Sequence, residues 1–315
     1  MTSTCPESDD VIEVALVNNM PDQALPATQR QFSSLVQLGA RGRRVQWRCY
    51  ALPGVERSET ARRYLERSHE DIGALYRRGA HALIVTGAEP RAARLDEEPY
   101  WPDLQCLVDW ARENTLSTIW SCLAAHAAVL HLDGIERRRA SKKISGVYTF
   151  KTTAQDWIHD PGAPEITVAH SRYNDVVREE LEDRGYHIAS HSEEVGVDVF
   201  WRREPSLFLF LQGHPEYDAD TLLKEYRRDV LRFLSGRRDD YPCEPENFFA
   251  PETSEKLSAL RAAVMNGLED DAEKRLTQIL SMEKCRAAWS DDATRLYRRW
   301  LKAVARQMET RREIA

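Results

Sequence analysis

Cys122 stands where an apolar run, Leu116 to Trp120, meets a run of small residues, Leu123 to Leu130. A β-prone segment giving way to a helix-prone one at a single cysteine reads as a strand–turn–helix elbow. A thiol held there faces unpaired backbone N–H groups and the positive end of a helix dipole, and both favour the thiolate. The matching chemistry is nucleophilic attack on an acyl carbonyl. Much further on, Gly213-His214-Pro215-Glu216 supplies a base and a carboxylate. Pro215 biases His214 toward extended backbone, and in extended backbone residues i and i+2 point the same way. Glu216 can then fix the tautomer of His214 and leave the other ring nitrogen as a base. Together these residues make a candidate Cys-His-Glu acyl-transfer site.

Each signal has a plainer reading. Free cysteine is most often a small buried hydrophobe, and an isolated His-Pro-Glu is most often a solvated turn. Their occurrence together is what points to chemistry. Cys5, Cys49, Cys106, Cys243 and Cys285 lack the elbow context and read as structural or incidental. His126, one helical turn after Cys122, reads as a packed histidine. His170 precedes Ser171-Arg172-Tyr173-Asn174 at a predicted strand end, where substrate contact and turn stabilisation are equally open.

The elements that must position these groups alternate. Strands are expected at residues 11–17, 45–52, 82–86 and 116–120, with helices at 27–38, 59–78 and 101–113. Such alternation indicates an α/β fold with a doubly wound, mainly parallel sheet, whose ligands sit beyond the C-terminal ends of the strands. Gly87 and Cys122 fall at such ends. Short strands at 145–150, 165–170, 187–191, 197–202 and 207–212 read as a more antiparallel extension of the sheet. The last of them leads to His214, and a helix follows at 219–234. From residue 252 onward the pattern is helical, with helices at 254–266, 272–284 and 290–310. The expected organisation is a main domain at 11–250 and a helical C-terminal extension at 251–315 packing on it.

Bulk composition narrows the function. The chain has 315 residues, 42% of them hydrophobic, with a formal net charge of −7. That balance favours neither nucleic acid nor an anionic membrane as partner. No apolar stretch is long enough to span a bilayer, and residues 1–10 are too polar for a signal peptide. The six cysteines show no CxxC spacing, so no metal site is expected. Reduced thiols in the cytoplasm are the expectation.

Taken together, the chain resembles the homoserine O-acyltransferases, which succinylate or acetylate homoserine and have a class I glutamine amidotransferase-like, flavodoxin-like fold. The resemblance rests on Asn19-Met20-Pro21, Leu83 to Ala88, Tyr100-Trp101, Ser121-Cys122, Lys143 to Tyr148, His170 to Tyr173, Gly213 to Asp218 and Arg228-Asp229-Val230. These segments run in the family's order across about residues 11–235.

The resemblance implies that Cys122 attacks an acyl-CoA thioester in a ping-pong reaction. His214 would be the base, oriented by Glu216. The backbone N–H of Leu123, with one from the Asn19–Met20 turn, would hold the oxyanion. Lys143, Ser171 and Arg228 match acceptor-binding positions, and a guanidinium fork suits a carboxylate. No permanently bound cofactor is implied. The resemblance also implies acyl-CoA as co-substrate, small molecules as partners, a homodimer as the expected assembly and methionine biosynthesis as the pathway.

The departures are specific. Asp22-Gln23 stand where the family has basic residues. Glu89-Pro90-Arg91 replaces the run that helps choose the acyl group, which makes Arg91 a candidate for selecting a succinyl carboxylate. Residues 252–284 read as an added helical segment. Serine or another hydroxy amino acid is an alternative acceptor. A glutamine amidotransferase would use the same triad, but its elbow reads Gly-x-Cys-x-Gly rather than Trp120-Ser121-Cys122-Leu123-Ala124. The third reading is an idle scaffold that binds a partner.

Overall fold

The computed structural model describes residues 11–154, 156–160, 162–203 and 205–314; Cys5 and the polar N-terminal stretch lie outside them. Four strands run parallel in its main sheet: β1 (Ile12–Val17), β2 (Val45–Tyr50), β3 (Ala82–Thr86) and β4 (Ser117–Ser121). Three helical segments connect the first three: α1 (Leu25–Ala40), α2 (Glu59–Ser68) and α3 (Ile72–Arg78). Then come α4 (Trp101–Asn114), between β3 and β4, and α5 (Leu123–Asp133).

The second half adds two long strands, β5 (Arg138–Thr152) and β6 (Glu165–Asp175), and a short helix, α6 (Arg178–Asp183). The strands β7 (His187–Ile188), β8 (Ser190–Ser192), β9 (Gly196–Val197), β10 (Val199–Arg203) and β11 (Leu207–Leu211) follow. The main sheet has the order β2-β1-β3-β4-β11-β10-β7. β11 joins β4 in parallel, while β10 and β7 pair antiparallel at that side. The expected extension is therefore there in part. β5, β6, β8 and β9 instead form a separate four-stranded sheet.

Alternation along the central strands divides the core into two layers. Ile12, Val14 and Leu16 of β1 pack with Phe32 and Val36 of α1, whereas Ala15 and Val17 pack with Leu104 and Val108 of α4. The long helix expected at 59–78 is broken. Asp71 caps α3 by accepting from the Gly73 N–H at 2.8 Å, and the Glu70 N–H donates to Cys49 O at 2.8 Å. Glu70 also pairs with Arg48 and Arg78 at 3.1 and 2.8 Å. Backbone pairing at the β2 edge and two ion pairs outweigh one more helical turn.

After α7 (Thr221–Leu234) come α8 (Pro251–Met265), α9 (Ala272–Ser281) and α10 (Ser290–Ile314). The helices after residue 251 divide in their packing. α8 and α9 bury Leu257, Leu260 and Leu276 against Tyr226 and Val230 of α7. α10 buries Tyr297, Trp300, Leu301 and Val304 in the same layer as Phe32 and Ile84. It covers the central sheet beside α1. Among the described residues no helix is long and apolar enough to cross a membrane.

Candidate active site

The parallel strands end together, and Cys122 and the segment with His214 and Glu216 follow their C-terminal ends, whereas Lys143 and Ser171 lie on the second sheet and Arg228 on α7. Cys122 follows β4 directly. Its backbone is left-handed, with φ 50° and ψ −112°, a conformation that costs an L-residue roughly 1–3 kcal/mol and persists where the surroundings impose it. Here the Cys122 N–H donates to Leu211 O at 2.7 Å, which ties the elbow to β11. Across the loop after β3, a Cβ on Gly87 would lie 2.4 Å from Leu123 Cβ, so only glycine lets that loop close on the elbow.

His214 follows the end of β11. Its N–H donates to Ala169 O at 2.8 Å, and its ring stacks on Tyr217 at 4.3 Å. His214 Nδ1 lies 2.9 Å from Glu216 Oε1, which leaves Nε2 for the Cys122 sulfur. Burial opposes a charge on this imidazole, but the adjacent Cys122 and Glu216 more than offset it and hold its pKa well above the ordinary value. Both neighbours therefore favour a charged imidazole.

These groups open into a cavity of 220 Å³ that Met20, Leu123, Ser171 and Arg228 also line. Cys122, His214, Glu216 and four further predicted residues thus meet in one space. The Met20 N–H is held at 3.3 Å by Asn18 Oδ1. Lys143 stands behind the cavity wall, 3.1 Å from Asp229 and 3.7 Å from Glu225. Arg228 donates to Asp229 through Nε and Nη2, each at 2.9 Å. Arg91 is not brought to the thiol. It lines a wider, adjoining cleft of 770 Å³ and pairs there with Glu56, both side chains being well exposed.

Two participants, Glu225 and Asp198, carry no signal in the linear sequence. Glu225 accepts from Ser171 Oγ and, at 2.9 Å, from Tyr217 Oη. It is the carboxylate that organises the wall opposite the elbow. His170 is fully buried. Its Nδ1 accepts from Arg172 Nε at 3.3 Å, and its Nε2 lies 3.3 Å from Asp198 Oδ1, which also accepts from the Gly213 N–H at 3.0 Å. His170 therefore braces the strap that carries His214, while its neighbour Ser171 faces the cavity. His126 is buried as expected, with Nε2 2.8 Å from Gln212 Oε1, and burial pushes its pKa down to about 4.

A cation also reaches the turn that has Asp22-Gln23 in place of basic residues. Arg57, almost fully buried, donates to Met20 O at 2.5 Å and to Asp22 Oδ1 at 3.2 Å. No group of side chains suited to a metal ion occurs among the described residues.

Comparison with known proteins bears on this arrangement. A family model described as homoserine O-succinyltransferase matches residues 4–310. The homoserine O-succinyltransferase of Rhodopseudomonas palustris is 46% identical over 295 residues, covering 94% of this chain and 89% of the relative. That of Bradyrhizobium japonicum is 48% identical over 274 residues, covering 86% and 82%. Among solved structures, a glutamine amidotransferase from Thermotoga maritima aligns over 93% of this chain and 98% of its own, with 13% identity and a TM-score of 0.48. The family match along nearly the whole chain, with relatives sharing close to half of all residues, establishes that this protein belongs to the homoserine O-succinyltransferase family of acyltransferases.

Proposed function

We propose that the protein transfers the succinyl group of succinyl-CoA to the hydroxyl of L-homoserine, by a ping-pong route through a Cys122 acyl-enzyme. The observation that carries this reading is the single cavity in which Cys122, His214 and Glu216 meet Ser171 and Arg228. A nucleophile, a base and groups suited to an amino acid share one space at the ends of the parallel strands.

The chemistry follows from the positions. Cys122 Sγ attacks the thioester carbonyl while His214 Nε2 carries the thiol proton. The oxyanion forms next to the first turn of α5, where the Leu123 N–H has no acceptor within the helix. One such donor contributes roughly 3 kcal/mol of barrier reduction. The Met20 N–H serves as a second donor only by turning from Asn18 Oδ1. The C–S bond to CoA then breaks, and His214 gives its proton to the departing thiolate. Next the acceptor hydroxyl enters, His214 Nε2 takes its proton, and the oxygen attacks the acyl-enzyme. The ester leaves and the Cys122 thiolate returns. Thioester exchange is nearly balanced in energy, so the acyl group stays activated while water is kept out.

The acceptor fits the wall opposite the elbow. Its carboxylate suits the Arg228 guanidinium, and its ammonium suits the Glu225 carboxylate. Lys143 acts from behind by holding Asp229 and Glu225 in place. The names of the relatives support succinyl as the acyl group and homoserine as the acceptor.

The test is direct. Purified protein is mixed with succinyl-CoA or acetyl-CoA, with and without homoserine, and both free CoA and the protein's mass are followed. Acyl-enzyme on Cys122 without acceptor, discharged by homoserine, is the expected result. Glutamine hydrolysis without CoA release would instead assign the triad to an amidotransferase reaction.

A further inference from the structure

Among the described residues, one cation of the catalytic cavity forms no ion pair. Arg137 lies between α5 and β5 and lines the same cavity as Cys122. Its Nη1 is buried without a hydrogen-bond partner, and no ion pair engages it among the described residues. The acidic groups that act on it are Tyr100 and Glu98, and Glu98 Oε1 already accepts from the Arg91 and Ala92 N–H groups at 2.6 and 2.7 Å.

The other guanidinium groups of the cavity are engaged. Arg172 donates to His170 at 3.3 Å and to Asn174 O at 2.7 Å, and it pairs with Asp175 at 3.1 Å. Arg228 is held by Asp229. Burial works against the charge on Arg137 and lowers its pKa. A half-buried guanidinium with an unpaired donor favours an incoming carboxylate, because the anion supplies what solvent has been prevented from supplying.

This cation and the acceptor-side cation come from different elements of the cavity. Arg228 is on α7 and stands with Ser171 and Glu225, whereas Arg137 follows α5, and the charged or titratable groups that act on it are Tyr100, Glu98 and Arg139. The reaction as read above brings two carboxylates to the cavity, one on the amino acid and one on the far end of the succinyl chain. We propose that Arg137 is the carboxylate anchor of the acyl donor. It grips the terminal carboxylate of a dicarboxylic acyl thioester while the thioester carbonyl rests on Cys122. This inference depends on the acyl-CoA reading and deepens it, because it moves donor choice from Arg91 to Arg137. An acetyl group would leave the buried donor unpaired, which is how a site discriminates against a smaller analogue.

The experiment compares kcat/KM for succinyl-CoA and acetyl-CoA in the wild-type enzyme and in Arg137→Met, Arg137→Lys and Arg91→Ala. Arg137→Met is expected to lose about 100-fold or more on succinyl-CoA while acetyl-CoA use changes little. Arg137→Lys should recover part of the loss, since it keeps the charge but not the fork. Arg91→Ala should leave the donor ratio unaltered. Equal losses on both donors, unchanged succinyl-CoA use in Arg137→Met, or a wild-type preference for acetyl-CoA would each overturn the proposal.

A second arm does not need turnover. Cys122→Ala, with and without Arg137→Met, is titrated with succinyl-CoA and acetyl-CoA. A succinyl preference that disappears with Arg137 supports the carboxylate site even if no acyl transfer is found. Failure of Cys122→Ala to prefer succinyl-CoA overturns it even if transfer is found.

Discussion

Glu216 Oε1 stands 2.9 Å from His214 Nδ1, on the same side of a segment whose middle residue is Pro215. In the proposed mechanism the carboxylate fixes which ring nitrogen faces the sulfur and stabilises the charged imidazole during attack. Glu216→Gln keeps the shape but can present its amide N–H to the ring and select the wrong tautomer. The expected loss in kcat is about 10²- to 10⁴-fold, with little change in thermal midpoint. A kcat within threefold of wild type would remove Glu216 from the catalytic arrangement.

The charge on His214 gives a second prediction. Burial lowers its proton affinity, and Cys122 and Glu216 reverse that, so the folded-state pKa lies well above 6.5. A raised folded pKa stabilises the protein fully below the unfolded value, and that contribution fades as pH rises through the folded value. Cys122→Ala removes one of the two raising partners and leaves burial in place. The His214 titration, followed by NMR of the imidazole, should therefore move to lower pH. The stability difference between wild type and Cys122→Ala should narrow above the wild-type His214 pKa. An unmoved His214 titration would mean that the sulfur does not set the imidazole's charge.

The C-terminal helix yields a stability prediction. Trp300 of α10 is fully buried, and its Nε1 donates to Ser117 Oγ at 2.9 Å, at the start of the strand that leads to Cys122. Trp300→Ala leaves a cavity under the central sheet and should cost about 3–5 kcal/mol of unfolding free energy. Urea denaturation gives the value. A cost below about 1 kcal/mol would mean that α10 rests on the sheet without supporting it.

Sequence alone reached the elbow and the His-Pro-Glu segment because both are local. Strand-to-helix change at Cys122 and the i, i+2 geometry around Pro215 are short-range consequences of residue type. The alternating β and α segments were legible for the same reason. Glu225, Arg137 and the His170–Asp198 brace were not. Each gains its place from chain segments distant in sequence; His170 stands in the segment 170–173, but nothing there points to its partner Asp198. The break at residues 69–71 was hidden too, since helical periodicity continues through it while Glu70 pairs with Cys49 and Arg48 of another strand. The pattern of α10 predicted a helix, but an apolar stripe does not say which layer it will cover.

The backbone at Cys122 permits one more test, in which Cys122→Ala and Cys122→Gly are compared. With φ 50° and ψ −112°, its Cβ is held in a conformation that side chains rarely adopt. In ordinary backbone, glycine is less stable than alanine by roughly 0.5–1 kcal/mol, because the unfolded chain gains freedom. At Cys122 the order should reverse. Cys122→Ala keeps the Cβ and its strain, whereas Cys122→Gly releases it, so the glycine variant should be the more stable by about 1 kcal/mol. Chemical denaturation of the two proteins measures the difference. The Leu211 hydrogen bond and the close approach of Gly87 maintain the turn in both, so the comparison isolates the cost of the side chain. If alanine is the more stable, the elbow stores no strain, and the position of the thiol must be due to the surrounding contacts alone.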